Sequence, residues 1–241
     1  MACAQCYRLP WQRRGLPAQP SSILDLVAQG LNQLSTQIVS ELQIAQQFQA
    51  PCCIDSVGWL GGCERRPSPN CDARSQGACI DLLVIHNISL PPGEFGGPWI
   101  DDLFLARLDP EAHPYFRTIA GAPVSAHLLI RRDGRCIQYV PFGERAWHAG
   151  ASSFAGRERC NEFSIGIELE GTDTQPFEAA QYHVLAEATR AIMGAYPGIT
   201  PERIAGHSDI APGRKTDPGP YFDWTRYRAL LGQEPARALG S

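Results

Sequence analysis

"FSIGIELEG", residues 163–171, decides how this chain folds. Gly166, Glu168 and Glu170 alternate with Ile165 and Ile167, the period of two that gives a β-strand one apolar and one polar face. If the polar face lines a cleft, a carboxylate on it can serve as a general base. If it is a strand edge open to water, the same carboxylates are ordinary surface charge. "DLLVIHN", residues 81–87, is a second run of strand length, ending in polar residues. "HLLIRRDGRCIQYV", residues 127–140, reads as two strands joined at Asp133-Gly134, a two-residue hairpin signal. Between 176 and 197, "PFEAAQYHVLAEATRAIMGAYP" puts Phe177, Ala180, Val184, Leu185, Ala188 and Ile192 on one helical face, and Pro197-Gly198 stops it. In "ITPERIAGH", Thr200 can cap a short turn, Pro201 opens it and Gly206 ends it. Strands mixed with helices from about Ile54 onward predict an α/β domain over 54–231.

The flanks differ. Residues 1–53 form an extension in which Leu24, Val27, Leu31, Leu34, Ile38 and Leu42 fall at helical spacing, with Ser21 and Ser22 as N-cap candidates. It is either a helix that buries its stripe against something, or the product of a start assigned too far upstream. Residues 232–241 read as a flexible tail. The length of 241 residues suits one domain with an appendage, and a hydrophobic content of 44% supports a normal core. A net charge of −4 argues against nucleic acid as a partner. No apolar run is long enough for a membrane span. The N-terminus lacks an export signal, so the expected location is the cytoplasm. Nine cysteines, an odd number, fit free thiols in a reducing compartment better than a disulfide framework. Cys3 and Cys6 with Cys52 and Cys53 offer four thiols for a structural metal, but the second pair lacks the usual spacing.

Six histidines are present, and two stand where chemistry can use them. His86 ends an apolar strand, and His207 opens a loop rich in proline and glycine, ten residues before Asp217. Two histidines and one carboxylate make a catalytic zinc set with a fourth position for water, although spacing alone is weak evidence and a lone histidine is more often structural. The same loop holds Lys215, the only lysine among 21 basic residues.

"LLVIHNISLPPGEFGGPWIDDLF" (82–104), "VSAHLLIRRDG" (124–134), "QYVPFGERAWHAG" (138–150), "GRERCNEFSIGIELEGTD" (156–173) and "GHSDIAPGRKTDPGPYFDW" (206–224) together resemble the AmpD-type amidases. These are cytosolic zinc N-acetylmuramyl-L-alanine amidases of peptidoglycan recycling, related to phage lysozyme-type amidases and peptidoglycan recognition proteins. The resemblance runs from about residue 54 to 231 and implies a central mixed β-sheet flanked by helices, with a zinc-containing groove. It implies one Zn2+ per chain on His86, His207 and Asp217, with Glu168 and Lys215 as catalytic residues. Asn87, Arg159 and Ala211 match substrate-binding positions, and His148 with Trp147 is read as a wall of the groove. His127 is read as a packed strand residue. The implied substrate is an anhydro-muropeptide, cut between N-acetylmuramyl and L-alanine, and its removal would lower β-lactamase induction. Pro123 departs from the family, whose members often carry a substrate-contacting arginine there. Residues 1–53 have no counterpart. The rival functions are an exported amidase acting on intact peptidoglycan and a muropeptide-binding module without catalysis.

Overall fold

The computed structural model describes residues 27, 31 and 53–232. Val27 and Leu31 are helical and exposed. The rest of the N-terminal stripe with its serine caps, the pairing of Cys3 and Cys6 with Cys52, and the tail beyond Gly232 lie outside the described residues.

In the main unit the strands are β1 (Glu64–Arg65), β2 (Cys71–Ala73), β3 (Leu82–Ile88), β4 (Leu128–Ile130), β5 (Cys136–Gln138), β6 (Glu144–Ala146), β7 (Ser153–Phe154), β8 (Arg157–Glu158), β9 (Ser164–Glu170) and β10 (Ile204–Gly206). The helices are α1 (Trp99–Phe104), α2 (Ala179–Ala195), α3 (His207–Ile210) and α4 (Trp224–Leu231). A six-stranded sheet runs β1-β5-β4-β9-β3-β10. Only β4 and β5 pair antiparallel within it, so the sheet is mixed. β9 is central rather than an edge, and all seven of its residues are buried.

Period-two alternation sends the two faces of this sheet to different jobs. Leu83 and Ile85 of β3 and Ile165, Ile167 and Leu169 of β9 pack on Val184, Leu185, Ala188 and Ile192 of α2. The opposite face is split. Leu129 and Ile137 join Ile100, Phe104 and Phe116 on one side, while Leu82, Val84 and Ala205 join Cys160, Phe163 and Ile210 on the other. Between these two apolar clusters stand His86 and Glu168, directly paired in register. The fold therefore presents a polar strip flanked by two packed regions.

Three local expectations change. Asp133-Gly134 belongs to a three-residue connection rather than a two-residue one. Arg131 N–H donates to the Arg135 carbonyl, and Gly134, at φ 86°, closes the turn back to Arg131. Asp133 Oδ1 accepts the Arg135 N–H, favouring the wider turn. Gly206 does not end the 201–203 turn; it ends β10, a short strand that pairs with β3. A Cβ at Gly206 would lie 2.8 Å from Pro218 Cδ, so glycine there admits the returning loop. Thr200 precedes the turn, but its side chain makes no cap hydrogen bond. Cys53, Cys63, Cys71, Cys79 and Cys160 are free thiols, in line with the reading of the cysteines as thiols rather than a disulfide framework.

Beside the strip lies a buried charge network. Arg131 donates to Glu170 Oε1 and Asp101 Oδ2, each at 2.7 Å, and Asp101 also receives Arg66 at 2.8 Å and the Tyr139 hydroxyl. Arg131→Met should cost about 3–5 kcal/mol, because it strands buried carboxylates that the guanidinium neutralised. Urea unfolding at pH 7 checks this; a loss under 1 kcal/mol would show the network to be dispensable.

Candidate functional site

Three elements converge on the strip. β3 delivers His86, the step from β10 into α3 delivers His207, and the loop 211–220 folds back to bring Asp217. The Ser208 N–H donates to the Asp217 carbonyl at 2.9 Å, tying the loop's return to the start of α3. Asn87 Nδ2 donates to the Pro218 carbonyl at 3.0 Å and to Asp173 Oδ1 at 2.7 Å, holding it from the other side. Arg214 donates to the carbonyls of Ala149 and Ala151, anchoring its middle.

His86 Nδ1, His207 Nδ1 and Asp217 Oδ2 stand 3.0 Å from one another. Among the described residues, these three form a group able to hold a metal ion. Burial pushes the His86 imidazole down to about 4 against the opposing pull of Asp217, so the ring is neutral at pH 7 and can offer a lone pair. His207 Nε2 lies 3.1 Å from the Ala149 carbonyl, which can only accept. A ring N–H at Nε2 suits that carbonyl, the closer neighbour, with Arg214 Nη2 at a looser 3.4 Å, and leaves the lone pair on Nδ1. Three such atoms at this spacing can hold a cation between them, and nitrogen, nitrogen and carboxylate oxygen are a donor set that suits zinc.

Glu168 faces the same space. Burial first, and then the charge of Asp217, raise its carboxyl well above the usual carboxylate range, while Lys215 opposes the rise. Its Oε2 is buried with no hydrogen-bond partner. Glu170, two residues on, is occupied by Arg131, by the Gly96 N–H at 2.7 Å and by the Arg132 N–H at 3.2 Å. Of the two glutamates that share the polar face, one is structural and the other is left free for chemistry. Lys215 is exposed, and its charge is felt at both Glu168 and His86.

The remaining sequence candidates are placed as follows. Ala211 is buried at the end of α3, and its carbonyl accepts the N–H groups of Arg214 and Lys215, each at 3.1 Å. Arg159 is exposed at φ 60° and reaches Glu162 at 3.2 Å. Trp147 Nε1 donates to Asp72 Oδ1 at 3.1 Å. His148 is half-buried, and its ring lies against Gly166, where a Cβ would come within 2.5 Å of it. His148 Nδ1 is 2.9 Å from His86 Nε2, and its Nε2 is 3.2 Å from Ser164 Oγ. His127 is fully buried, and its Nδ1 accepts the Gly166 N–H at 3.0 Å, a packed residue as read. Pro123 is exposed on the approach to β4. The reading of the sequence missed the anchoring roles of Arg214 and Asn161. Asn161 Oδ1 accepts the backbone N–H groups of His148 and Ala149. Neither residue carries a local signal, because each acts on a segment a dozen or more residues away.

Comparison with known proteins agrees with this geometry. A family model described as N-acetylmuramoyl-L-alanine amidase matches residues 76–220. The 1,6-anhydro-N-acetylmuramyl-L-alanine amidase AmpD of Escherichia coli is 62% identical over 177 residues, spanning 73% of this chain and 96% of the relative. AmpD of Haemophilus influenzae is 58% identical over 170 residues, spanning 70% and 92%. A crystal structure of a selenomethionine AmpD derivative superposes with a TM-score of 0.71 at 62% identity, covering 73% of this chain and 98% of that one. The mixed sheet with flanking helices is therefore the fold of these relatives. The matched span includes His86, Glu168, His207, Lys215 and Asp217, and the chain belongs to the N-acetylmuramoyl-L-alanine amidase family.

Proposed function

We propose that the protein hydrolyses the amide between a 1,6-anhydro-N-acetylmuramyl group and L-alanine, using one zinc ion held by His86, His207 and Asp217. The observation that carries the reading is the convergence of three metal-ligating atoms, 3.0 Å apart, beside a buried glutamate with an unpartnered oxygen. The AmpD relatives, matched over nearly their whole length, supply the identity of the bond and of the sugar.

An amide is a poor electrophile and water a poor nucleophile. Zinc, when bound, polarises the carbonyl and makes water acidic enough to attack near neutral pH. Glu168 takes the proton of the attacking water and passes it to the leaving amine of L-alanine. Burial keeps that carboxylate away from bulk water, and its free oxygen is ready to accept. Lys215 places positive charge where the carbonyl oxygen becomes negative. Asn87, Arg159 and Ala211, with Trp147 and His148 as a wall, are the proposed muropeptide contacts. No helix among the described residues is long and apolar enough to cross a membrane. The proposed place of the reaction is the cytoplasm, as in the recycling amidases that the sequence resembles. There it would remove the muropeptide that induces β-lactamase.

The test is to count zinc in the purified protein and follow peptide release from 1,6-anhydro-N-acetylmuramyl-tripeptide. About one zinc per chain is expected by the ligand set, with activity lost on chelation and restored by zinc. Muropeptide binding without peptide release would turn the reading to a binding module. Faster release from intact peptidoglycan than from the anhydro-tripeptide would turn it to a wall amidase.

A further inference from the structure

The two rings that face the metal position are each supported from behind, and both supports end on groups that can only accept a hydrogen bond. For His207 the support is direct, through the Ala149 carbonyl. For His86 it is a chain of two further side chains. Ser164 Oγ donates to the Cys160 carbonyl at 2.6 Å. With its one proton so engaged, Ser164 Oγ can meet His148 Nε2, at 3.2 Å, only as an acceptor. A neutral His148 protonated at Nε2 carries its lone pair on Nδ1. That atom lies 2.9 Å from His86 Nε2, which must then be the donor. His86 in turn holds its lone pair on Nδ1, the atom that faces His207 and Asp217. Every link has one permitted direction.

We infer that His148 is a positioning residue for the metal site: it accepts the outer N–H of His86, fixes that ring's tautomer and plane, and is itself fixed by Ser164 and the Cys160 carbonyl. The inference rests on the proposed metal site and deepens it. The packing agrees with the role. Gly166 has no Cβ to push the His148 ring away, and Asn161 Oδ1 holds the backbone N–H groups of His148 and Ala149 at 3.2 and 2.8 Å. One asparagine thus steadies both supports, the imidazole behind His86 and the carbonyl behind His207. Both ring nitrogens of His148 are engaged by protein atoms, so its contribution to the groove wall is by shape.

The experiment uses the full chain and zinc alone as the probe, with affinity read by competition against a chromogenic chelator. Removing the outer partner of a metal-ligating histidine typically costs about 10–100-fold in affinity, and His148→Leu should fall in that range. His148→Gln, whose amide oxygen can accept from His86 while its amide nitrogen donates to Ser164, should restore most of the loss. Melting of the metal-free variants confirms that each is folded. On the wild type, long-range proton–nitrogen spectra should show His86 and His148 both protonated at Nε2; this needs no variant and decides the question even if His148→Leu does not fold. Unchanged affinity in a folded His148→Leu, a folded His148→Gln as weak as the leucine, or a proton on His148 Nδ1 would each overturn the inference. Failure of the wild type to bind zinc would instead overturn the metal reading beneath it.

Discussion

Glu168→Gln should bind zinc and muropeptide as the wild type does and release almost no peptide. Proton transfer by a positioned carboxylate typically contributes about 10²–10⁴-fold to rate, and in the proposed mechanism this carboxylate is used twice, as base and then as acid. The amide keeps the shape of the side chain and cannot accept the water's proton. The loss should therefore appear in kcat with KM little changed. A zinc-loaded Glu168→Gln with kcat within a few-fold of wild type would remove Glu168 from the mechanism.

The same residue makes a second, independent prediction about stability. A carboxyl whose folded-state pKa lies above its unfolded value destabilises the fold at high pH, where the unfolded chain ionises freely and the folded one resists. That destabilisation fades as pH falls towards the unfolded value of about 4.3. Burial raises the Glu168 carboxyl, and its Oε2 lacks a partner. Metal-free Glu168→Gln should therefore melt above metal-free wild type at pH 7–8, with the gap closing near pH 4. Thermal melts at those pH values measure it. Equal melting temperatures at pH 8 would mean that the glutamate is not held in an unfavourable state. A site that costs stability and returns rate is what a catalytic carboxylate predicts; a structural one, such as Glu170 with its three donors, predicts the reverse.

Glu168 and Glu170 also show where reading a sequence reaches its limit. Period-two alternation put both on one polar face and left two meanings open, cleft or solvent edge. The structure makes that face interior, and the difference between the glutamates comes from Arg131, 39 residues away in sequence. His86 and His207 were visible because each follows a local pattern, a strand end and a loop start. Their convergence is a contact across 121 residues, which no local period encodes. β10 has no local signature because three residues cannot display a period, and its pairing with β3 comes from the sheet rather than from its own sequence. At Asp133-Gly134 the dipeptide marks the place of the hairpin turn and not its length, because Asp133's bond to the Arg135 N–H selects the longer form. The long resemblance to a family supplied what local patterns could not, the joint identity of residues distant in sequence.

Lys215→Arg should stay folded and zinc-loaded and lose most of its kcat. Twenty of the 21 basic side chains are arginine, so a shortage of lysine is the background against which this one stands. The loop that carries it is held at several points: Arg214 on the Ala149 and Ala151 carbonyls, the Lys215 N–H on the Ala211 carbonyl, and the Asp217 carbonyl on Ser208. Pro212, Pro218 and Pro220 further limit the conformations open to it. The backbone is fixed while the Lys215 side chain is exposed, its charge reaching Glu168 and His86. Arg214, one residue earlier, shows what a guanidinium does in this loop: it spreads across two backbone carbonyls and becomes a clamp. A compact ammonium can approach a growing oxyanion beside a metal, whereas the planar fork of arginine would crowd the same space. Loss of one oxyanion-stabilising donor typically costs about 2.7–4 kcal/mol of barrier, or about 10²–10³ in kcat. Lys215→Arg keeps the charge and alters the shape of the head group; Lys215→Met keeps the unbranched stem and removes the ammonium. If charge alone mattered, arginine would rescue the methionine variant. If shape matters as well, both should fall by about 10² or more with zinc content unchanged. Wild-type turnover in Lys215→Arg would reduce the lone lysine to an accident of composition.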